Sequence, residues 1–271
     1  MVAEQSLLHS FVSVDGIASR LQRCAGNPCL LQAFDALPPS LPVAPRDTTQ
    51  CQSWPDASGE QPLIAVRCYS TAGDLIQCCG HGLLAAAHSW QRRLQRRALN
   101  LSMNGSLVAS SREGDITWLR FSGIHTVDCA VPEWLAQVFS AALPAQAAAL
   151  AGDAQGYLVV QWPDSFDLQQ LARPGGGLSS FTGRALICTA ARPEWGDGVI
   201  QMRYFAPQYG VGEDAATGSA MRVLAQYWSP RFRTLTAYQC SAAGGLLMSR
   251  HAAAYVEVGG RCSITTAGGH D

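Results

Sequence analysis

The chain has 271 residues, 48% hydrophobic and 14% charged, with a formal net charge of −1. That is ample apolar material for a core and too little charge for disorder, and the near-neutral balance creates no field to gather nucleic acid or an anionic membrane surface. All 19 basic residues are arginine, which excludes a pyridoxal Schiff base and a Walker A loop, since both need a lysine.

No basic segment followed by an apolar run opens the chain, so no secretory leader is expected. No stretch reaches the ~20 apolar residues of a membrane span. The ten cysteines include no CxxC pair, and Cys78 and Cys79 are adjacent. Reduced, mostly buried thiols in a cytoplasmic protein are the expectation. Further along, Pro38, Pro39, Pro42 and Pro45 exclude a helix interior from that stretch.

A first unit follows. Ile64-Ala-Val-Arg67-Cys-Tyr69 reads as a strand, then a polar turn, then Cys79-Gly80-His81-Gly82 and an apolar run to Trp90. The run from Leu83 to Trp90 is apolar on most sides, as in a buried helix. Arg92, Arg93, Arg96 and Arg97 close it, where cations meet the negative end of the helix dipole. Short strand-like runs come next at Leu99–Ser111 and Ile116–Phe121, and a domain boundary is expected near Ser122–Val131. The alanine-rich stretch Val131–Leu150 reads as a helix. Tyr157–Trp162 and Ala185–Thr189 are strand-like, with Arg173-Pro-Gly-Gly-Gly177 as a solvated turn between them.

A second unit then repeats the first. Ile200-Gln-Met-Arg203-Tyr-Phe205 is followed by a turn carrying Glu213 and Asp214, then Thr217-Gly218-Ser219 and an apolar run to Trp228. The offset is 136 between the isoleucines and between the arginines, and 138 between Gly80 and Gly218 and between Trp90 and Trp228. A turn two residues longer accounts for the difference. Tyr255–Val258 is a further strand-like run.

Each unit thus reads as strand, turn, glycine loop and buried helix. The first four N–H groups of a helix lack internal partners, and a glycine start lets a ligand approach them. Two such starts facing across a cleft would bind a carboxylate and stabilise the enolate left when a neighbouring C–H loses its proton. His81 is a candidate proton carrier, with an ordinary pKa of about 6.5; a helix-capping or buried hydrogen-bonding role is equally open. Asp214 is a proton carrier or a simple cap, and Ser219 a substrate donor or a cap. Cys79, at a helix start, has the setting of a lowered thiol pKa. A two-thiol racemase needs a matching cysteine, however, and the second half reads Ala215-Ala216-Thr217-Gly218, so a buried, inert Cys79 is favoured. His81 and His88 lie seven apart with no carboxylate at ligand spacing, so no metal site is expected. No GxSxG elbow is present.

These residues resemble a known family. Cys79-Gly-His-Gly-Leu-Leu-Ala-Ala-Ala-His resembles the CGHATLAAAH element of PhzF-like (phenazine biosynthesis) proteins. Arg203-Tyr-Phe-Ala-Pro-Gln-Tyr-Gly-Val-Gly-Glu-Asp-Ala-Ala-Thr-Gly-Ser-Ala220 resembles their RYFAPxxGxxEDPATGSA element. Gln239-Cys-Ser-Ala-Ala-Gly-Gly245 and Gly26-Asn-Pro28 resemble two shorter ones. The resemblance implies an α+β, diaminopimelate-epimerase-like fold of two pseudo-symmetric domains, each a curved, mainly antiparallel sheet around a central helix. The expected domains are 1–122, with its helix at about 82–95, and 123–271, with its helix at about 218–228 and its last strand able to return to the first domain. It also implies a homodimer and an isomerase or epimerase that shifts a proton on a small anionic, carboxylic-acid or amino-acid-derived metabolite without a cofactor, in specialised biosynthesis.

Carried over by position, His81 and Asp214 are catalytic, and Asn27, Gly80, Gly82, Thr217, Gly218 and Ser219 face the substrate. The family's general-base glutamate is missing: the count back from His81 lands on Gln52 beside Ser53, with Asp56 and Glu60 nearby. A positioned general base contributes typically 10²- to 10⁴-fold. The alternative reading is therefore a catalytically silent small-molecule binder or dimeric scaffold of the same fold.

Overall fold

The computed structural model describes residues 2–13, 24–38, 43–56, 63–139, 144–174 and 177–265. β-branched and aromatic runs hold most of this chain extended. The first seven strands are β1 (Val2–Val12), β2 (Asn27–Phe34), β3 (Thr49–Asp56), β4 (Leu63–Tyr69), β5 (Ala98–Met103), β6 (Ser106–Glu113) and β7 (Ile116–Phe121). The other eight are β8 (Thr126–Cys129), β9 (Ala147–Ala151), β10 (Tyr157–Gln161), β11 (Ala185–Ala191), β12 (Val199–Phe205), β13 (Thr234–Gln239), β14 (Gly245–His251) and β15 (Val256–Thr265). The helices are α1 (Gly80–Arg93), α2 (Leu135–Val138), α3 (Leu178–Phe181) and α4 (Gly218–Tyr227). Only α1 and α4 exceed one turn.

The duplication seen in the sequence is written into the strand pairing. From β2 to β7 the successive pairings run parallel, antiparallel, parallel, antiparallel, antiparallel. From β10 to β15 they run in the same order. The sheets are thus mainly antiparallel, with a parallel pair flanking each repeat's central hairpin.

The long helices lie mainly against the strands of their own halves, α1 on β1, β2, β3, β5 and β7 and α4 on β13, β14 and β15, and α1 also packs on β15. α1 buries Leu83, Leu84, Ala85, Ala86, Ala87 and Trp90, and α4 buries Ala220, Met221, Val223, Leu224 and Ala225. The two tryptophans closing these helices are anchored alike. The Trp90 indole donates to Ser53 Oγ at 2.9 Å and the Trp228 indole to Thr189 Oγ1 at 3.1 Å. Ser53 and Thr189 are themselves 136 apart, the strand offset of the repeat.

Strand β15 has three partners. It pairs with β14 and β7 through Val256–Gly259 and Val256–Arg261, and with β1 through its second half, Arg261–Thr265. Residues 122–125 form no strand and link β7 to β8. The α+β fold class agrees with the expectation from sequence.

Two local expectations change. Val131–Leu150 is not one helix: Leu135–Val138 makes a single turn, and Ala147–Ala151 is strand β9, held between β8 and β10. Alanine's helix propensity is a weak prior that tertiary pairing overrides here. Leu99–Ser111 is two strands, because Asn104 and Gly105 both take positive φ and turn the chain back. Among the described residues no helix is long and apolar enough to cross a membrane. Pro39, Pro42, Glu60 and part of the 173–177 turn lie outside the described residues.

Candidate active site

The amino ends of α1 and α4 meet. A Cβ added to Gly80 would stand 2.9 Å from the Gly218 Cα and 3.2 Å from the Ser219 nitrogen, and one added to Gly218 would stand 3.2 Å from the Gly80 Cα. Only two glycines allow this backbone-to-backbone approach. Neither flanking residue, Cys79 before α1 or Thr217 before α4, caps its helix with an oxygen. Two positive dipole ends therefore converge on one junction, which holds seven of the eight residues expected from sequence at or next to it. The eighth, Asn27, arrives from β2.

On the α4 side the lining is carboxylate and amide. Asp214 Oδ1 accepts from Asn27 Nδ2 at 2.9 Å and from the Ala215 N–H at 2.9 Å, while Oδ2 accepts from Thr217 Oγ1 at 2.6 Å. Asn27 also donates to the Ala216 carbonyl at 2.9 Å. Gln239 braces the turn: its amide donates to the Asp214 carbonyl and to Thr217 Oγ1, and its oxygen accepts the Thr217 N–H at 2.7 Å. The acidic pair of this turn divides its labour. Glu213 is a buried partner of Arg203, held by two hydrogen bonds of 2.7 and 3.0 Å, and also meets Arg173. Asp214 alone faces the junction. Ser219, in the first turn of α4, lies beside Tyr157, whose ring neighbours Tyr204.

On the α1 side the lining is sulfur and imidazole. The Cys79 sulfur lies 3.7 Å from His81 Nδ1 and 3.8 Å from Nε2. A hydrogen bond from Cys68 holds the Cys79 thiol well below its usual range; burial opposes this, and the charge of His81 adds to it. Burial alone would lower the His81 pKa, but the Cys79 thiolate more than reverses it, and with Asp214 and Cys51 lifts it to about 9. His81 therefore holds its proton at neutral pH, between the Cys79 sulfur and the Asp214 side chain. Ser10 Oγ donates to the His81 carbonyl at 2.8 Å and fixes the loop from β1. Gly82 is a steric necessity, because a Cβ there would meet the Cys68 sulfur at 2.4 Å.

Strand pleating decides which β3 side chains face α1. Successive side chains alternate faces. Ser53 faces α1 through its bond to Trp90, and Cys51 faces it through a 3.6 Å contact of its sulfur with the Gly82 carbonyl. Gln52 therefore stands on the opposite face of β3. The residue of β3 under the helix start is Cys51. Period-two alternation anchored on Ser53 would have found it. Ser53 is committed to Trp90, and Asp56 closes β3 opposite Leu63.

Among the described residues no group of three His, Cys, Asp or Glu side chains is arranged to hold a metal. No disulfide joins the ten cysteines, and seven of them are buried. A separate surface hollow of about 510 Å³ lies between Gln146, Gln161, Tyr227 and Arg231, beyond the far end of α4 and away from the junction.

Comparison with known proteins now adds to this geometry. The family model described as phenazine biosynthesis-like protein matches residues 55–268. A Pseudomonas aeruginosa protein named an uncharacterized isomerase is 30% identical over 267 residues, covering 95% of this chain and 97% of its own. A Vibrio cholerae protein of the same description is 31% identical over 189 residues, 66% of this chain and 62% of its own. Among solved structures, an Enterococcus faecalis PhzF-family protein superposes with a TM-score of 0.76 at 20% identity, covering 97% and 96% of the two chains. A Pseudomonas aeruginosa protein described as a predicted epimerase gives 0.64 at 18% identity, covering 96% and 97%. At these identities the structural likenesses speak for the fold.

Proposed function

The chain belongs to the phenazine biosynthesis-like PhzC-PhzF family, and on that premise we propose that it is an isomerase or epimerase moving a proton on a small carboxylate. The observation carrying this reading is the contact of two helix starts at Gly80 and Gly218, with His81 and Asp214 on either side. First-turn N–H groups of both helices would receive the substrate carboxylate, as helix amino ends receive anions generally. Negative charge built up on that group when the adjacent C–H ionises would be met by the same donors. Asp214 would carry the proton from one face, and the His81 imidazolium would return one from the other. Asn27 and Thr217 would orient Asp214, and Gly82 and Ser219 complete the substrate-facing loops. No cofactor enters the scheme.

We further assign two pseudo-symmetric domains, 1–122 and 123–271, a homodimeric state, a cytoplasmic setting and a step in specialised biosynthesis. A second reading, a silent binding protein of this fold, draws on one observation: both Asp214 oxygens already have partners within the protein.

Solvent exchange separates the two. In D₂O, candidate amino and enoic acids should gain deuterium at the carbon next to the carboxylate. Asp214→Asn and His81→Ala should each slow this by about 10²- to 10⁴-fold. Saturable binding of those acids with no exchange in the unmodified protein selects the silent reading.

A further inference from the structure

Beneath the first turn of α1 lies a chain of thiols that the proposed proton transfer leaves unused. Cys29 on β2, Cys51 on β3, Cys68 on β4 and Cys79 before α1 are all buried. They neighbour one another in succession, and each perturbs the next one's titration: Cys29 with Cys51, Cys51 with Cys68, and Cys68 with Cys79. Cys51 and Cys68 are direct cross-strand partners. A Cβ on Gly82 would lie 2.4 Å from the Cys68 sulfur and 2.9 Å from the Cys79 sulfur, so these two sulfurs flank a single point.

The thiols of this chain are not equivalent toward an oxidant. Cys79 is the one of the four whose sulfur touches the His81 ring, and it lies at the junction of the helix starts; Cys51 is also held low, at about 6, by Cys29 and Cys68, but its sulfur turns to the Gly82 carbonyl. Cys29, Cys51 and Cys68 are sealed from solvent. Adjacent Cys78 is exposed, but burial of its sulfur and the neighbouring Cys79 push its thiol up from its usual range. Oxidation follows thiolate character as well as access. Cys79 combines a lowered thiol pKa with contact to the His81 ring, and Cys68 waits beside it.

We propose that Cys79 is a peroxide-reactive cysteine and that Cys68 is its resolving partner. The Cys79 thiolate attacks one oxygen of hydrogen peroxide; the S–O bond forms as the O–O bond breaks. Sulfur loses two electrons, peroxide gains them, and the departing hydroxide takes the His81 proton to become water. The Cys68 thiol then displaces the sulfenic oxygen as a second water, forming the Cys68–Cys79 disulfide. Both the anion beside His81 and its proton are spent, so oxidation reports on the same junction while needing no assumption about its substrate.

The native protein would be treated with increasing hydrogen peroxide, quenched with N-ethylmaleimide and mapped by peptide mass spectrometry. The expected product joins the peptides of Cys68 and Cys79, with Cys78 still fully alkylated. Cys68→Ser, which keeps a hydroxyl donor beside Cys79 and is checked for folding by circular dichroism, should instead let dimedone trap a sulfenic acid on Cys79. First oxidation at Cys78, a disulfide between any other pair, or no oxidation at peroxide levels that modify the urea-unfolded chain would overturn the proposal.

Discussion

The two helix starts share a backbone and differ in chemistry. Both are strand, turn, glycine and buried helix, closed by a tryptophan tied to the same place on a neighbouring strand. Yet the α1 start is lined by sulfur and imidazole, and the α4 start by carboxylate and amide. The scaffold tolerates this because the shared part is main chain: helix dipoles and a glycine contact need no particular side chain beyond the glycines. The differing parts are the side chains that line each start. Duplication thus supplies two paired helix starts, and divergence supplies unlike polar groups on their two sides.

The sharpest way to break that picture is at the contact. Gly80→Ala places a methyl 2.9 Å from main chain, whereas Gly218→Ala first meets the Phe11 ring edge at 3.1 Å. Main chain yields less readily than a side chain. Gly80→Ala should therefore cost more stability, about 1–3 kcal/mol of overpacking, and should abolish solvent exchange; Gly218→Ala should fall at the lower end. Equal and negligible losses in urea melts would mean that the helix starts do not depend on touching.

A smaller effect tests the divergence. Position 88 of α1 is histidine, and its counterpart 138 residues on is Gln226. Burial, then Arg92 and Arg112, lower His88 to about 4. The unfolded chain takes up that proton near pH 6.5, before the folded one does. His88 therefore destabilises the protein progressively as pH falls from about 6.5 to about 4, by up to about 3 kcal/mol. His88→Gln, copying the second half, should flatten that part of the stability-against-pH curve. An unchanged slope would remove His88 from the account.

Smallest is the shared anchor. Trp90→Phe and Trp228→Phe each lose one buried hydrogen bond, about 1 kcal/mol apiece beyond the change in ring volume. Unequal costs, differing by more than about 1 kcal/mol, would show that the two halves are anchored differently.

Legibility in the sequence follows the same division. The glycine starts, the tryptophans and the parent strands were readable because local pattern and a constant offset encode them. Asp214 meeting Asn27 across 187 positions was not readable from spacing, since only the closed sheet brings β2 to the α4 turn. Cys51 was passed over because a count along the chain ignores the pleat, and one residue reverses a strand's face. The alanines of β9 read as helix because their partners on β8 and β10 lie outside any local window.

Strand β15 carries a consequence for biogenesis. Its neighbours β1 and β7 are made before it, and each keeps one hydrogen-bonding edge open until residues 256–265 leave the ribosome. The sheet from β1 to β7 therefore stays open at both ends until a segment synthesised last among the described strands arrives.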